Sequence, residues 1–190
     1  IDFSFDTFKL GGSAFAQSLG KVGDDVPTVQ EAEYFRDAFL AVQALINKGL
    51  IMAGHDISAG GLITTLLEMC FANAEGGMEI SLNKLKEEDI VKILFAENPG
   101  IVIQVKDKHK DEISKLLEDA GVGFVKIGKP TDERHILVTK GEATYQFGID
   151  YMRDVWYSSS YLLDRKQSMN GCAKKRFENF RMQPIETVFA

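Results

Sequence analysis

A histidine, a carboxylate, a hydroxyl and two glycines stand together where one apolar run ends and another begins. The short apolar run 49–53 is followed by the polar and glycine-rich segment 55–61, and a longer apolar run begins at Leu62. A short apolar run is typical of a central strand covered on both faces, and we interpret Leu50 to Ala53 in this way. The longer run indicates a buried helix. The polar side chains are therefore expected at a corner between a strand and a helix.

The types of these residues fit a site for a phosphate and a magnesium ion. Gly60 and Gly61 would leave the first N–H groups of the helix uncovered, and these groups together with the helix dipole favour an anion. Asp56 would stand at the carboxyl end of the strand, where open α/β sheets usually bind ligands. Mg²⁺ is typically held by one or two carboxylates and by phosphate oxygens. We therefore predict Asp56 as a metal ligand and Ser58, Gly60 and Gly61 as phosphate-binding residues.

The same residues also fit an ordinary helix cap. In that interpretation Asp56 or Ser58 accepts hydrogen bonds from the first N–H groups of the helix, and the glycines only make the turn. The spacing alone leaves both interpretations open. The segment is not a Walker A loop, because it has no lysine and its glycines are differently spaced.

Other residues could take part in chemistry or could be structural. The segment Gly11, Gly12 and Ser13 could present N–H groups to a phosphate, or could form a tight turn and a helix cap. His55 could transfer a proton or contact a substrate, and Glu97 could face the site or stand at a helix end on the surface. Glu68 lies in an otherwise apolar helix and is expected to need a buried partner.

The composition excludes several classes of protein. The chain has 190 residues, of which 45% are hydrophobic and 26% charged, and its net charge is −6 with a pI of about 5.1. These values argue against disorder and against a general basic surface for nucleic acid. No apolar run approaches the roughly 20 residues of a membrane span, and we expect neither a membrane span nor a signal peptide. The two cysteines, Cys70 and Cys172, lack metal-binding spacing and suit a reducing cytosol, so we expect a cytoplasmic protein.

The hydrophobic periodicity predicts an α+β fold, a layered α/β/α domain with one mainly mixed sheet. Predicted helices are 14–19, 28–47 with a capping box of Thr28 and Glu31, 62–74, 87–95, 108–120, 154–164 and 173–180. Predicted strands, besides the one at 50–53, are 2–8, 78–82, 100–105, 122–127, 135–139 and 145–147.

Four segments, in order along the chain, resemble one family. Residues 54–72 resemble the His-Asp-x-Ser-x-Gly-Gly-Leu signature of the aminoimidazole ribonucleotide synthetase-like proteins. Residues 10–17, 94–105 and 153–161 resemble segments of the large, single-chain phosphoribosylformylglycinamidine synthases within that group. The resemblance covers nearly the whole chain. It implies the C-terminal domain of the second synthetase-like half at residues 1–150, and a helical extension at 151–190 that leads toward a glutaminase domain.

The resemblance implies a defined reaction. The family uses ATP to activate the amide oxygen of formylglycinamide ribonucleotide as an iminophosphate, in purine biosynthesis. Ammonia released from glutamine in the glutaminase domain then displaces the phosphate. Implied cofactors are Mg²⁺ and ATP or ADP, with Asp56 as the Mg²⁺ ligand. Implied partners are the other domains of the parent chain, so this chain alone should be inactive.

Two alternatives accompany this interpretation. The domain could be a non-catalytic scaffold that holds an auxiliary Mg²⁺-nucleotide, or the chain could belong to another synthetase or kinase of the same superfamily. Ala59 departs from the family pattern, in which an acidic residue is frequent at this position. The missing carboxylate implies a weaker affinity for metal.

Overall fold

The computed structural model describes residues 1–182, except for the side chains of residues 180 and 181. The predicted extension 151–190 therefore lies outside the described residues from position 183 onward. The helices are α1 (Ala14–Ser18), α2 (Ala32–Asn47), α3 (Gly61–Phe71), α4 (Ile90–Phe95), α5 (Lys110–Asp119), α6 (Ile149–Gln167) and α7 (Cys172–Glu178), with short 3-10 turns at Asp107–His109 and Asn179–Met182. The strands are β1 (Ile51–Ile57), β2 (Gly77–Ser81), β3 (Gly100–Val105), β4 (Gly128–Thr131), β5 (His135–Lys140) and β6 (Ala143–Gly148).

The strands form a mixed sheet and a separate antiparallel pair. The mixed sheet has four strands in the order β4-β2-β5-β6, and β2 runs parallel to β5 while the other neighbours are antiparallel. Strands β1 and β3 pair antiparallel with each other in the second sheet. The predicted α+β class with a mixed sheet is thus confirmed. The expectation of one sheet is wrong, because β1 and β3 pair apart from the four-stranded sheet.

The β1–β3 ladder lies between two hydrophobic cores, which gives the predicted layering of helix, sheet and helix. On one side α3 packs with β2, α4 and β5, and Leu66 is 1% exposed there. On the other side α2 packs with α5, and Leu45 is fully buried. Burying a side chain of this size contributes roughly 1.5–3 kcal/mol. The two cores therefore contact opposite faces of the ladder whose end carries the polar corner, although they do not cover its whole length.

The middle of β1 differs from the prediction. We expected a strand covered on both faces, but Met52 is 55% exposed, and its neighbours Ala53 and Gly54 are exposed as well. Within residues 1–182, β3 is the strand that pairs with β1. A register shift between Ile51 and Ala53 interrupts the ladder at this point. An apolar run in the sequence therefore does not by itself show that a strand is covered.

Three further local predictions are wrong, two of them in the first 31 residues and one at residues 122–127. Asp2 to Phe8 is not a strand, because the Asp2 carboxylate accepts hydrogen bonds from the N–H groups of Ser4 and Phe5 and turns the chain. The predicted capping box is absent, since Glu31 is the N-cap of α2 without a side-chain bond, and the Thr28 N–H donates to Asp6.

The predicted strand 122–127 is irregular chain, and β4 follows it. Val122 and Phe124 pack into the core of α2 and α5, and the Gly123 N–H donates to the Tyr34 hydroxyl at 2.9 Å. Side-chain burial and this hydrogen bond stabilise the segment without the hydrogen bonds of a β-ladder.

In the part of the chain that is described, no helix is both long and apolar enough to cross a membrane.

Candidate functional site

The polar corner forms where β1 ends and α3 begins, as the sequence predicts. Asp56 stands near the carboxyl end of β1, opposite Ile101 of β3, and its side chain is 75% exposed. Ser58 follows in the exposed turn. Gly60 is the N-cap residue of α3 and, as a glycine, provides no capping side chain. An exposed carboxylate and hydroxyl thus stand beside the positive end of a helix dipole.

The two glycines make this turn possible. Gly60 has φ 90° and Gly61 has φ 71°, values that favour glycine strongly. A Cβ atom on Gly61 would lie 2.7 Å from the carbonyl oxygen of Leu94, which belongs to α4. The start of α3 therefore packs directly against the backbone of α4.

Glu97, which follows α4, joins two helix ends at this corner. Its Oε1 atom accepts hydrogen bonds from the N–H of Gly60 and from the N–H of Ala14, each at 2.8 Å. The carboxylate thus bridges the N-termini of α1 and α3, and a negative charge at these positions is favourable. The sequence proposed a site role or a surface position for Glu97. Its bridging role between distant segments was not foreseen.

The bridge has a consequence for the predicted phosphate site. The Gly60 N–H is taken by Glu97, and the Gly61 N–H donates to the carbonyl of Ser58 at 3.0 Å. In this conformation the glycines shape the turn, as in the helix-cap interpretation, and their N–H groups are already engaged. A direct phosphate contact by Gly60 or Gly61 stays a prediction.

The backbone N–H groups of Gly11 to Ser13 also donate hydrogen bonds within the protein. The N–H groups of Gly11 and Gly12 donate to the carbonyls of Asp25 and Val22 at 2.9 and 2.8 Å. The Ser13 N–H donates to Leu10, and the buried Ser13 hydroxyl caps α1 by accepting from Ala16. The geometry fits the tight turn and cap that the sequence allowed. A phosphate role for these three residues would require exchange of these hydrogen bonds.

His55, which precedes Asp56 in β1, contacts Glu68 of α3. The distance between His55 Nε2 and Glu68 Oε2 is 3.3 Å. Glu68 Oε1 also accepts a hydrogen bond of 2.9 Å from the indole N–H of Trp156 in α6. The expectation that Glu68 needs a partner is confirmed. The identity of its partners could not be read from the sequence, because they belong to two other elements.

The donor set at Asp56 fits one type of metal site. In residues 1–182, no group of three or more His, Cys, Asp or Glu side chains gathers to hold a metal ion. The exposed Asp56 carboxylate can serve as a single ligand, with His55 Nδ1 lying 3.5 Å from its Oδ1. A single carboxylate suits Mg²⁺ when phosphate oxygens and other groups complete the shell.

The remaining features do not extend the site. An open depression of about 760 Å³ is lined by Asp2, Asp6 and Gln30 among others, and none of the corner residues lines it. The carboxylates of Asp2 and Asp6 already accept backbone N–H groups. Cys70 at the end of α3 is buried, and burial raises the pKa of its thiol, which makes it a poor nucleophile at neutral pH.

The fold and this corner define an α+β domain with an exposed carboxylate at a strand-to-helix junction. Residues 7–140 match the family "AIR synthase related protein, C-terminal domain", and the chain belongs to this family. The predicted resemblance is thereby confirmed at the level of the family.

Two curated relatives share a similar name. The chain is 34% identical over 188 residues to the probable phosphoribosylformylglycinamidine synthase, chloroplastic/mitochondrial, of Arabidopsis thaliana. It is 31% identical over 177 residues to the phosphoribosylformylglycinamidine synthase of Homo sapiens. These matches cover 97% and 91% of this chain but 13% of each relative. The chain therefore spans a small part of the length of the relatives it matches.

Solved structures of a Thermotoga maritima protein share the fold. PurL complexed with ATP has a TM-score of 0.58 at 14% identity, with 76% of this chain and 24% of that chain covered. PurL complexed with FGAR has a TM-score of 0.55 at 18% identity, with 70% and 22% covered. At these identities the likeness supports the fold.

Proposed function

We propose that the chain is one domain of a phosphoribosylformylglycinamidine synthase, and that its Asp56 corner holds a Mg²⁺-nucleotide. The observation that carries this proposal is the exposed Asp56 carboxylate beside the start of α3, whose N-cap residue Gly60 has no capping side chain of its own, in a member of this family. The names of both relatives, and the ATP and FGAR complexes of the structural relative, support it. The parent enzyme would be an ATP- and glutamine-dependent C–N ligase of purine biosynthesis.

The residues of this chain would act by binding and orienting. Asp56 would contribute one carboxylate to Mg²⁺, and the Ser58 hydroxyl would face the phosphates. When bound, Mg²⁺ offsets the negative charge of the phosphates. His55 and Glu97 would support the corner from β1 and from the end of α4. The remaining groups of the site would come from other domains of the parent chain, because this chain supplies one wall.

The wider assignment is part of the same proposal. Residues 1–150 would form the synthetase-like C-terminal domain, and residues 151–190 would lead as a helical extension toward a glutaminase domain. That domain would supply ammonia from glutamine for the amidination of formylglycinamide ribonucleotide. A cytoplasmic location stays a prediction, and the Arabidopsis relative is described as chloroplastic/mitochondrial.

The test compares nucleotide retention and turnover in the parent enzyme. Wild type, Asp56→Ala and the control Asp119→Ala, an exposed carboxylate of α5, would be purified without added nucleotide and then denatured. Released ADP and ATP would be quantified beside steady-state turnover. We expect Asp56→Ala to lose either the retained nucleotide or the turnover, and we expect the control to keep both.

The pattern of loss identifies the kind of site. Loss of retained nucleotide, with turnover falling only as stability falls, would place Asp56 at an auxiliary nucleotide. Collapsed turnover with unchanged retention would place it at the reacting ATP. If neither quantity changes relative to the control, the corner is only a helix cap and the proposal is wrong.

A further inference from the structure

We infer that Glu68 and Trp156 are positioning residues for Asp56, and that α6 is thereby coupled to the candidate Mg²⁺ corner. This inference rests on the proposed function of Asp56. It concerns two residues that do not touch the ligand themselves. Its basis is a continuous series of polar contacts that runs from α6 through α3 to the backbone of Asp56.

The first contacts join α6 to α3. The Trp156 indole N–H donates to Glu68 Oε1 at 2.9 Å, and the indole ring packs against Phe71 with the ring centroids 5.3 Å apart. The Glu68 side chain is 22% exposed in an otherwise apolar helix. A carboxylate in such a position is costly unless it has partners. Trp156 supplies one partner, so the indole holds one carboxylate oxygen in place.

The second contacts join α3 to β1. The other oxygen of Glu68 lies 3.3 Å from His55 Nε2, and His55 Nδ1 lies 2.8 Å from the carbonyl oxygen of Asp56. Since a carbonyl only accepts, this hydrogen bond requires the proton on Nδ1. The imidazole ring thus donates to the Asp56 backbone from Nδ1, and its other edge lies against the Glu68 carboxylate.

The carbonyl of Asp56 has a second donor. The hydroxyl of Thr65, which is 1% exposed, donates to it at 3.0 Å. Two donors, one from His55 and one from α3, therefore fix the peptide plane that follows Asp56. The direction of the Asp56 side chain depends on this plane, and the side chain itself is exposed and makes few contacts that would orient it.

The physical role follows from the behaviour of outer contacts at metal sites. Groups that orient a metal ligand are commonly worth 10- to 100-fold in metal affinity or activity. Glu68 and Trp156 would orient the metal ligand Asp56 in this way, because Trp156 holds Glu68 and Glu68 contacts His55. A displacement of α6 would be transmitted along the same contacts, so the helix that follows the mixed sheet would influence the affinity of the corner for Mg²⁺.

The test measures Mg²⁺ dependence in the parent enzyme with four variants and a reference. Trp156→Phe keeps an aromatic ring on Phe71 but lacks the N–H donor. Glu68→Ala removes both contacts, and Glu68→Gln keeps an acceptor for the indole. Tyr151→Phe is the control, because Tyr151 is an exposed aromatic residue of the same helix. Asp56→Asn is the reference for the metal ligand itself.

The readout is the Mg²⁺ concentration at which half of the nucleotide is retained after gel filtration, together with the melting temperature. We expect Trp156→Phe and Glu68→Ala to raise this concentration by about tenfold. Glu68→Gln should restore most of the affinity, and Tyr151→Phe should match wild type. A purely structural contact would lower the melting temperature and leave the Mg²⁺ concentration unchanged.

The outcomes separate this inference from the proposed function. If Asp56→Asn abolishes Mg²⁺-dependent retention while Trp156→Phe and Glu68→Ala behave like Tyr151→Phe, the coupling is wrong and the proposed function stands. If Asp56→Asn leaves the Mg²⁺ dependence of both nucleotide retention and turnover unchanged, both are overturned.

Discussion

At the scale of single residues, Glu97 shows how one side chain can define a corner. Its carboxylate oxygen accepts from the N–H of Ala14, which is 83 positions away, and from the N–H of Gly60, which is 37 positions away. Both donors lie at helix N-termini, where a carboxylate is favoured. The residue therefore holds three segments of the chain together through one carboxylate.

We predict that Glu97→Ala lowers the free energy of unfolding by about 2–4 kcal/mol, because hydrogen bonds to a charged group are worth about 1.5–3 kcal/mol each and water partly replaces them at a half-buried site. Glu97→Gln keeps an acceptor oxygen and should cost about 1 kcal/mol. Equilibrium unfolding in urea measures both values. Glu142→Ala, an exposed glutamate in the turn between β5 and β6, is the control. A loss for Glu97→Ala no larger than the control would contradict the bridging role.

At the scale of the elements, α6 and α7 are held together by a charged contact. The Arg176 Nε donates to Asp164 Oδ2 at 2.9 Å, and its NH2 group lies 2.6 Å from Oδ1. The hydrogen bonds from Arg176, followed by that from Ser168, hold the pKa of the Asp164 carboxyl below its ordinary value. The aromatic rings of Tyr161 and Phe177 stack beside this pair, with centroids 4.8 Å apart. Packing and charge thus act together at this junction.

The sign of the pH dependence follows from the lowered pKa. A group of this kind stabilises the folded state fully above the ordinary aspartate pKa of about 3.9, and its contribution is lost as the pH falls through the lower value. We predict that amide protection in α7 is constant from neutral pH to about pH 4 and then decreases. Hydrogen exchange across this range measures it. Asp164→Asn should lack this decrease in protection at acidic pH, which we call the acid step.

The matched control for this junction is Glu178→Gln, which alters the Lys174–Glu178 pair of 3.6 Å within α7. This variant should keep the acid step of the wild type. An acid step that persists in Asp164→Asn would show that another group causes it.

At the scale of the whole molecule, the sequence predicts what depends on local patterns. Strand β3 occupies the predicted residues 100–105, because its alternation matches a paired strand. The corner and the place of Asp56 near the end of β1 were also predicted, from residues close together in the chain. The partners of Glu97 and Glu68 were not, since each comes from a distant element. The exposed middle of β1 was missed because an apolar run does not reveal how many strands will pair with it.

The described surface also limits what the chain can do alone. Its candidate metal site has one carboxylate, and large apolar side chains such as Met52, Val155 and Trp156 are more than half exposed. The chain is therefore expected to depend on the rest of its parent protein for ligand binding.

We predict that the isolated 190-residue chain retains no nucleotide after gel filtration and binds Mn²⁺, as a probe for the Mg²⁺ site, more weakly than about 1 mM. A single carboxylate leaves most of the coordination shell to water, and water molecules hold the ion in place poorly. Electron paramagnetic resonance of free Mn²⁺ in a titration measures the affinity, with Asp56→Asn as the control. Tight, saturable binding that disappears in Asp56→Asn would show that this chain alone supplies enough ligands, and that the wall contributed by other domains is not needed for the metal.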